Sequence, residues 1–338
     1  MRTLLLVACS QIFLLLCCSN AALATPLFAS DDVLEVELRG PIASTVRDKR
    51  KRAERLFTIV VDGEAWPVDV RVRGKSRVEQ CRFPPLRLNF GHDGVSGGPF
   101  AGLDKVKLVT HCRDADHYDA NLFEEYATYR MFSLLSEFSH RVRLMRIHYV
   151  DTAKPGKASL VRYAFALEPI DLVASRMQAV EHEVPHIVKS RLATDQAALV
   201  FVFHYLIANS DWSLVTAEDE ETCCHNGMLL HKEGRNYIVP YDFDLSGFVN
   251  ARYADPDPSL PIRRVTSRLY RGYCIKGLDL GIAVDAVVAR EAAIMGVVKA
   301  LPDAAEKSAD GRMDFLAPFF ERARAGGLAA HLEAKCVA

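Results

Sequence analysis

In "RLFTIVVDGEAWPVDVRVRG", Val68, Val70 and Val72 alternate with Asp69, Arg71 and Arg73. Strict alternation is the pattern of a half-buried strand, because successive side chains leave opposite faces of a sheet. Asp62-Gly63 stands between this run and a preceding β-branched one, and an Asp-Gly pair in that place predicts a tight hairpin. "PPLRLNF", "KVKLVT", "LMRIHYVD" and "SLVRYAFALEPID" read as further strands. Between them, Leu122, Phe123, Tyr126, Tyr129, Phe132 and Leu135 recur at spacings near three and four, which predicts an amphipathic helix over 121–137. The second half is mainly helical. It opens with the buried "DQAALVFVFHYLIAN", is interrupted by a β-ribbon in "GMLLHKEGRNYIVPYDFDL", and ends in helices over 279–335.

The N-terminus reads differently. Arg2 precedes an apolar run from Leu4 to Cys18, and Ala22-Leu23-Ala24 fits a small-x-small cleavage site, so residues 1–24 read as a signal peptide. Three of the nine cysteines fall in that segment, leaving Cys81, Cys112, Cys223, Cys224, Cys274 and Cys336. An even set in an exported chain suggests disulfides. Cys223-Cys224 can tie one loop to two places, such as Cys274 and Cys336, with Cys81 then pairing with Cys112; spacing does not fix the connectivity. No CxxC spacing favours zinc. The formal net charge of -1 gives no global basic field for nucleic acid, and no segment after the signal is apolar enough to span a membrane. The basic run "RDKRKRAER" reads as a solvated face or flexible arm.

Two constellations carry chemistry. Gly74-Lys75-Ser76 is not a P-loop, because Asp69 occupies the glycine position that the motif requires. What remains is a glycine turn among Arg71, Arg73, Lys75, Ser76 and Arg77, suited to an anion. The second is Asp211 just past a buried helix, Asn226 opening the ribbon, and Asp242 and Asp244 closing it. One carboxylate to orient a hydroxyl, with amide and carboxylate oxygens for magnesium or manganese, is the inventory of phosphoryl transfer.

In their order, "VRVRGKSR" with "PPLRLNF", then "KVKLVTHCRDADHYDANLFEEYATYRMF", "YAFALEPID" and "NSDW…HN…YIVPYDFDLSG" resemble the spore-coat CotH family of secreted atypical kinases, over roughly residues 60–250. The resemblance implies an α+β, two-lobed protein-kinase-like fold with ATP between the lobes. A β-rich N-lobe would span 56–170 after an N-terminal extension over 25–55, and an α-rich C-lobe 171–338. It implies Asp211 as catalytic base, and Asn226 and Asp242 on magnesium or manganese with Asp244 in support. Glu168 would lie at the hinge near adenine. Arg73, Gly74, Lys75, Ser76 and Arg77 would approach phosphates. Lys107 would pair with Glu124 or Glu125, with Arg87 as the other basic candidate. Two departures stand out: Lys75 occupies the place of the family's Asn, and the acidic insertion "VTAEDEETCC" separates Asp211 from Asn226. The implied function is transfer of the ATP γ-phosphoryl group to a hydroxyl, Ser or Thr of a secreted, periplasmic or cell-envelope protein. A catalytically inactive pseudokinase and a metal-dependent phosphoesterase are the alternatives.

Overall fold

The structure is a computed structural model that describes residues 25–91, 94–156, 158–214, 223–302 and 306–337. The segment read as a signal peptide therefore lies outside the described residues. The strands and helices of the first half are β1 (Leu34–Gly40), α1 (Ile42–Arg47), β2 (Arg55–Val61), β3 (Glu64–Val72), α2 (Ser76–Gln80), β4 (Leu86–Asn89), β5 (Lys105–Thr110), α3 (Asp116–Ser133), β6 (Val142–Asp151) and β7 (Leu160–Leu167). There follow α4 (Ile170–Met177), β8 (Val180–Glu181), α5 (Thr194–Leu206), β9 (Gly227–Lys232), β10 (Arg235–Pro240), α6 (Leu280–Ala289), α7 (Glu291–Lys299), α8 (Glu306–Arg324) and α9 (Leu328–Glu333).

Strands β1 to β7 close into a barrel in the order β1-β2-β3-β4-β5-β7-β6. Neighbours are antiparallel except where β6 meets β1, in parallel register from Leu34↔Met145 to Gly40↔Asp151. This closure overturns the two-lobed kinase-like fold implied by the resemblance. The architecture is a closed, mixed seven-stranded barrel, joined by a three-stranded sheet (β8, β9, β10) and helices. The reason is β1. It comes from the stretch read as an extension, and it pairs with both β2 and β6, leaving the sheet without an edge.

The alternation is realised as expected. Val68, Val70 and Val72 point into the barrel beside Phe57, Ile59, Leu86, Leu88, Val106 and Leu108, while Arg71, Arg87 and Lys107 face outward. Asp62 and Gly63 both have positive φ, the backbone a two-residue hairpin turn requires. Helix α3 starts before the expected residue 121. Asp116 and Asp119 sit in its first turn, where negative charge is favoured, and Arg162 binds both. The run "RDKRKRAER" is not a free arm: Arg55 pairs with Asp48, Arg50 with Glu79, and Lys49 donates to the Cys81 carbonyl.

Cys81 bonds Cys112, one of the pairings the sequence allows, and staples α2 to the end of β5. The adjacent cysteines do not tie a loop to distant sites. Cys223 bonds Cys224, and Cys274 bonds Cys336. No helix among the described residues is long and apolar enough to cross a membrane.

Candidate functional site

Helix α5 is buried almost throughout and delivers Asp211 five residues beyond its end. Asn209 organises the exit. Its Oδ1 accepts from the Asp211 backbone N–H at 3.0 Å, and its amide meets His204 Nδ1 at 3.2 Å. Trp212 donates from Nε1 to the Asn209 carbonyl and stacks on His204, with ring centroids 4.6 Å apart. A short polar side chain closing on the amide two residues on is an Asx turn, so Asp211 leaves an apolar element in a fixed direction.

Asn226 reaches Asp211 despite the acidic insertion. Its Nδ2 donates to Asp211 Oδ2 at 2.8 Å and to the Asp211 carbonyl at 2.7 Å, while His225 Nε2 lies 3.0 Å from Asp211 Oδ1. The Ser213 N–H donates to the His225 carbonyl and closes the loop at its base. Residues 215–222 of the insertion lie outside the described residues.

The β9–β10 register pairs Gly227 with Pro240 and so brings the end of the ribbon beside Asn226. Tyr241 donates its N–H to the Asn226 carbonyl, and Asp242 donates its own to the Tyr129 hydroxyl at 2.8 Å. Phe243 is fully buried, edge-on to Tyr129 and Phe203. Anchoring that ring leaves the two flanking carboxylates with separate tasks. Asp244 is tied: its Oδ2 accepts from Arg77 Nε at 2.8 Å and from the Tyr253 hydroxyl at 2.9 Å. Asp242 keeps a half-exposed carboxylate, with Oδ1 3.6 Å from Arg77 Nη2.

Arg77 also donates to Glu125 Oε2 at 2.7 Å. Burial works against its charge, but Asp244 and Glu125 outweigh that and hold its pKa well above the ordinary value. Burial likewise penalises the Asp244 carboxylate, and Arg77 more than offsets it, leaving its pKa low. Asp242 moves up, through burial and then the neighbouring Asp244, with Asp211 adding to the push. Excess negative charge thus gathers at Asp242, facing Arg73 and Lys107. Lys107 lies 5.4 Å from the Tyr241 ring centroid, and burial followed by repulsion from Arg73 brings its pKa down to about 8. Among the described residues the side chains of Arg73 and Lys107 make no hydrogen bond or ion pair.

The residues expected from sequence divide into two groups. Asp211, Asn226, Asp242, Asp244, Arg73, Arg77 and Lys107 converge. The others are elsewhere or differently engaged. Glu124 pairs with Arg312 at 2.6 Å, and Glu125 takes Arg77, so Lys107 is not the partner of either glutamate. Glu168 is fully buried and held by Arg141 at 2.6 Å and Arg176 at 3.1 Å, so its carboxylate is a structural anchor. Arg87 pairs with Glu54 on the outer barrel face. Gly74 has φ 96°, and its carbonyl accepts from Arg52, while Lys75 and Ser76 are exposed.

Sequence reasoning missed Tyr129, Tyr253 and His225 as parts of the site. Tyr129 carries the same helical spacing as the core aromatics around it, and nothing in the pattern marks its hydroxyl as the acceptor for Asp242.

Carboxylate and amide oxygens are the ligand types that magnesium accepts. No group of three His, Cys, Asp or Glu side chains shaped for a metal occurs among the described residues. Magnesium, however, typically takes one or two protein oxygens plus substrate phosphates and water. Asp242 and the Asn226 amide supply oxygens of those types at this site. Asp244 Oδ2 is taken up by Arg77 and Tyr253. No protein-family model and no curated protein sequence matches the chain.

Proposed function

We propose that the chain is an exported phosphotransferase that moves the terminal phosphoryl group of ATP to a hydroxyl group of a secreted or envelope protein. One observation carries this reading. Arg73 and Lys107, which among the described residues make no ion pair, lie within electrostatic reach of the Asp242 carboxylate, and Asp242 stands beside the Asp211–Asn226 pair. Cations without carboxylate partners next to a metal-type carboxylate suit a bound polyphosphate. The disulfides and the CotH-like order of motifs support export and the reaction class.

Asp211 orients the acceptor hydroxyl and takes its proton. The acceptor oxygen forms a bond to the γ-phosphorus as the bond to the β–γ bridging oxygen breaks, and ADP leaves. Arg73 and Lys107 hold phosphate oxygens through this change. Asp242 and Asn226 would hold the magnesium, which when bound neutralises charge on the phosphates.

The test is incubation of the purified protein with γ-labelled ATP, magnesium or manganese, and a secretome extract. Label transfer that is lost in both Asp211→Ala and Asp242→Ala supports the reading; label transfer unchanged in both variants overturns it.

A second reading, a nucleotide-binding module without turnover, is favoured by the engagement of both Asp211 carboxylate oxygens, one by Asn226 and one by His225. Thermal stabilisation by ATP and magnesium without label transfer would select it.

A further inference from the structure

The outer face of the barrel carries a row of cations that begins at Lys107 in the cleft and continues through two arginines that the phosphotransfer chemistry does not use. The β3–β4 register sets Arg71 beside Arg87, and the β4–β5 register sets Arg87 beside Lys107. Neighbouring strands lie about 4.8 Å apart, so these three side chains span about 10 Å. Arg52, exposed and with φ 50°, reaches the same face and donates from Nη2 to the Gly74 carbonyl at 2.7 Å.

Among the described residues, Glu54 is the carboxylate ion-paired to the outer part of this row. Glu54 Oε1 lies 3.2 Å from Arg87 Nη2 and 3.7 Å from Arg71 Nε. Arg52, Arg71 and Arg87 stand against Glu54 and the outward-facing Asp69, and Lys107 continues the row, so among the described residues the cations on this face outnumber the carboxylates. Arg87 Nε is buried with no hydrogen-bond partner among the described residues. Burial of Arg71, together with repulsion from Arg87, lowers its pKa, although Glu54 stands beside it. Such a cluster is under-neutralised and calls for carboxylates from outside.

We propose that Arg52, Arg71 and Arg87 form a docking strip for an acidic segment of the acceptor protein, running into the cleft at Lys107. This rests on the phosphotransfer reading and names the acceptor class for that site. An extended peptide puts every second side chain about 6.6 Å along on the same face, so three alternate acidic residues, reaching about 13 Å, cover the strip. Guanidinium forks match carboxylates in shape as well as charge. A single small anion would not use the length of the row.

The test measures binding of fluorescein-labelled peptides of alternating Glu and Ser, or Lys and Ser, to the full chain by anisotropy at low salt and without ATP. The Glu peptide should bind and the Lys peptide should not. Arg52→Glu should weaken the Glu peptide about tenfold, and Glu54→Gln, which removes the internal competitor, should tighten it several-fold. Acceptor-independent ATP hydrolysis should be unchanged in both variants.

Equal binding of the two peptides, or no response to either variant, overturns the strip even if ATP-dependent labelling proceeds. Variant-sensitive binding of the Glu peptide without any ATP-dependent labelling keeps the strip and removes the phosphotransfer reading. Inorganic polyphosphate that binds with the same variant dependence while the Glu peptide does not bind also overturns the proposal.

Discussion

Arg77 Nη2 lies 2.7 Å from Glu125 Oε2, and this buried pair ties α2 to α3 at the centre of the candidate site. The same guanidinium holds Asp244 through Nε, so one side chain joins a turn after β3, a long helix and the segment after β10. Fixing Asp244 fixes Asp242 two residues away. The geometry of the candidate site therefore depends on an arginine whose sequence context points to phosphate.

Arg77→Met should cost about 3–5 kcal/mol of folding stability, because it leaves Glu125 and Asp244 buried without their partner. Urea denaturation followed by circular dichroism measures this. A loss below about 1 kcal/mol would mean that water or another cation replaces the guanidinium, and that the pair does not organise the site.

Asp242 and Asp244 should separate by phenotype. Asp242→Asn should abolish the thermal stabilisation given by ATP with magnesium while leaving the nucleotide-free melting temperature within about 3 °C, since half-exposed positions carry little stability. Asp244→Asn should lower stability by about 2–4 kcal/mol, because it weakens the charged partner of buried Arg77. Similar melting temperatures and similar nucleotide responses in the two variants would contradict the division of labour seen in the geometry.

Much of this was legible locally. The Asp62-Gly63 hairpin, the inward valines of β3, the α3 stripe and the β9–β10 ribbon all follow from periodicity within short windows. Asp211 and Asp242 were legible because each leaves an apolar element, and Asn226 because it opens the ribbon that Asp242 closes. Closure of the barrel was not, since the parallel β1–β6 pairing joins residues more than a hundred positions apart and has no local signature. The glutamate partners were misplaced for a related reason. Glu124 and Glu125 are neighbours on a helix, about 100° apart, and only tertiary packing decides that one meets Arg77 and the other Arg312.

The Cys81–Cys112 bond should matter to the site as well as to stability. It closes a separation of 31 residues and fixes the helix that carries Arg77. The chain-entropy model gives about 3–4 kcal/mol for a loop of this size. Cys81→Ser with Cys112→Ser should lose an amount of that order in urea unfolding and weaken ATP–magnesium stabilisation in parallel. Full nucleotide response at undiminished stability would show that α2 is held without the bond.

His204 provides a pH-dependent readout of the floor beneath Asp211. It is buried against Trp212, and burial, then the Arg271 charge, bring its pKa down to about 3. The unfolded chain takes up a proton at this residue near pH 6.5, whereas the folded chain does not until about pH 3. Stability from His204 is therefore present above pH 6.5 and is lost as pH falls through the window between these values. Buried acids such as Asp119, whose pKa is raised to about 6, act in the opposite direction, so the total slope mixes signs. The difference between wild type and His204→Gln isolates one proton. Glutamine retains an acceptor for the Asn209 amide but does not titrate. Between pH 4 and 6, the wild-type unfolding free energy should fall more steeply than that of the variant by about 1.4 kcal/mol per pH unit. Parallel pH profiles for the two proteins would show that His204 titrates normally in the folded state and does not form an apolar floor for Asp211.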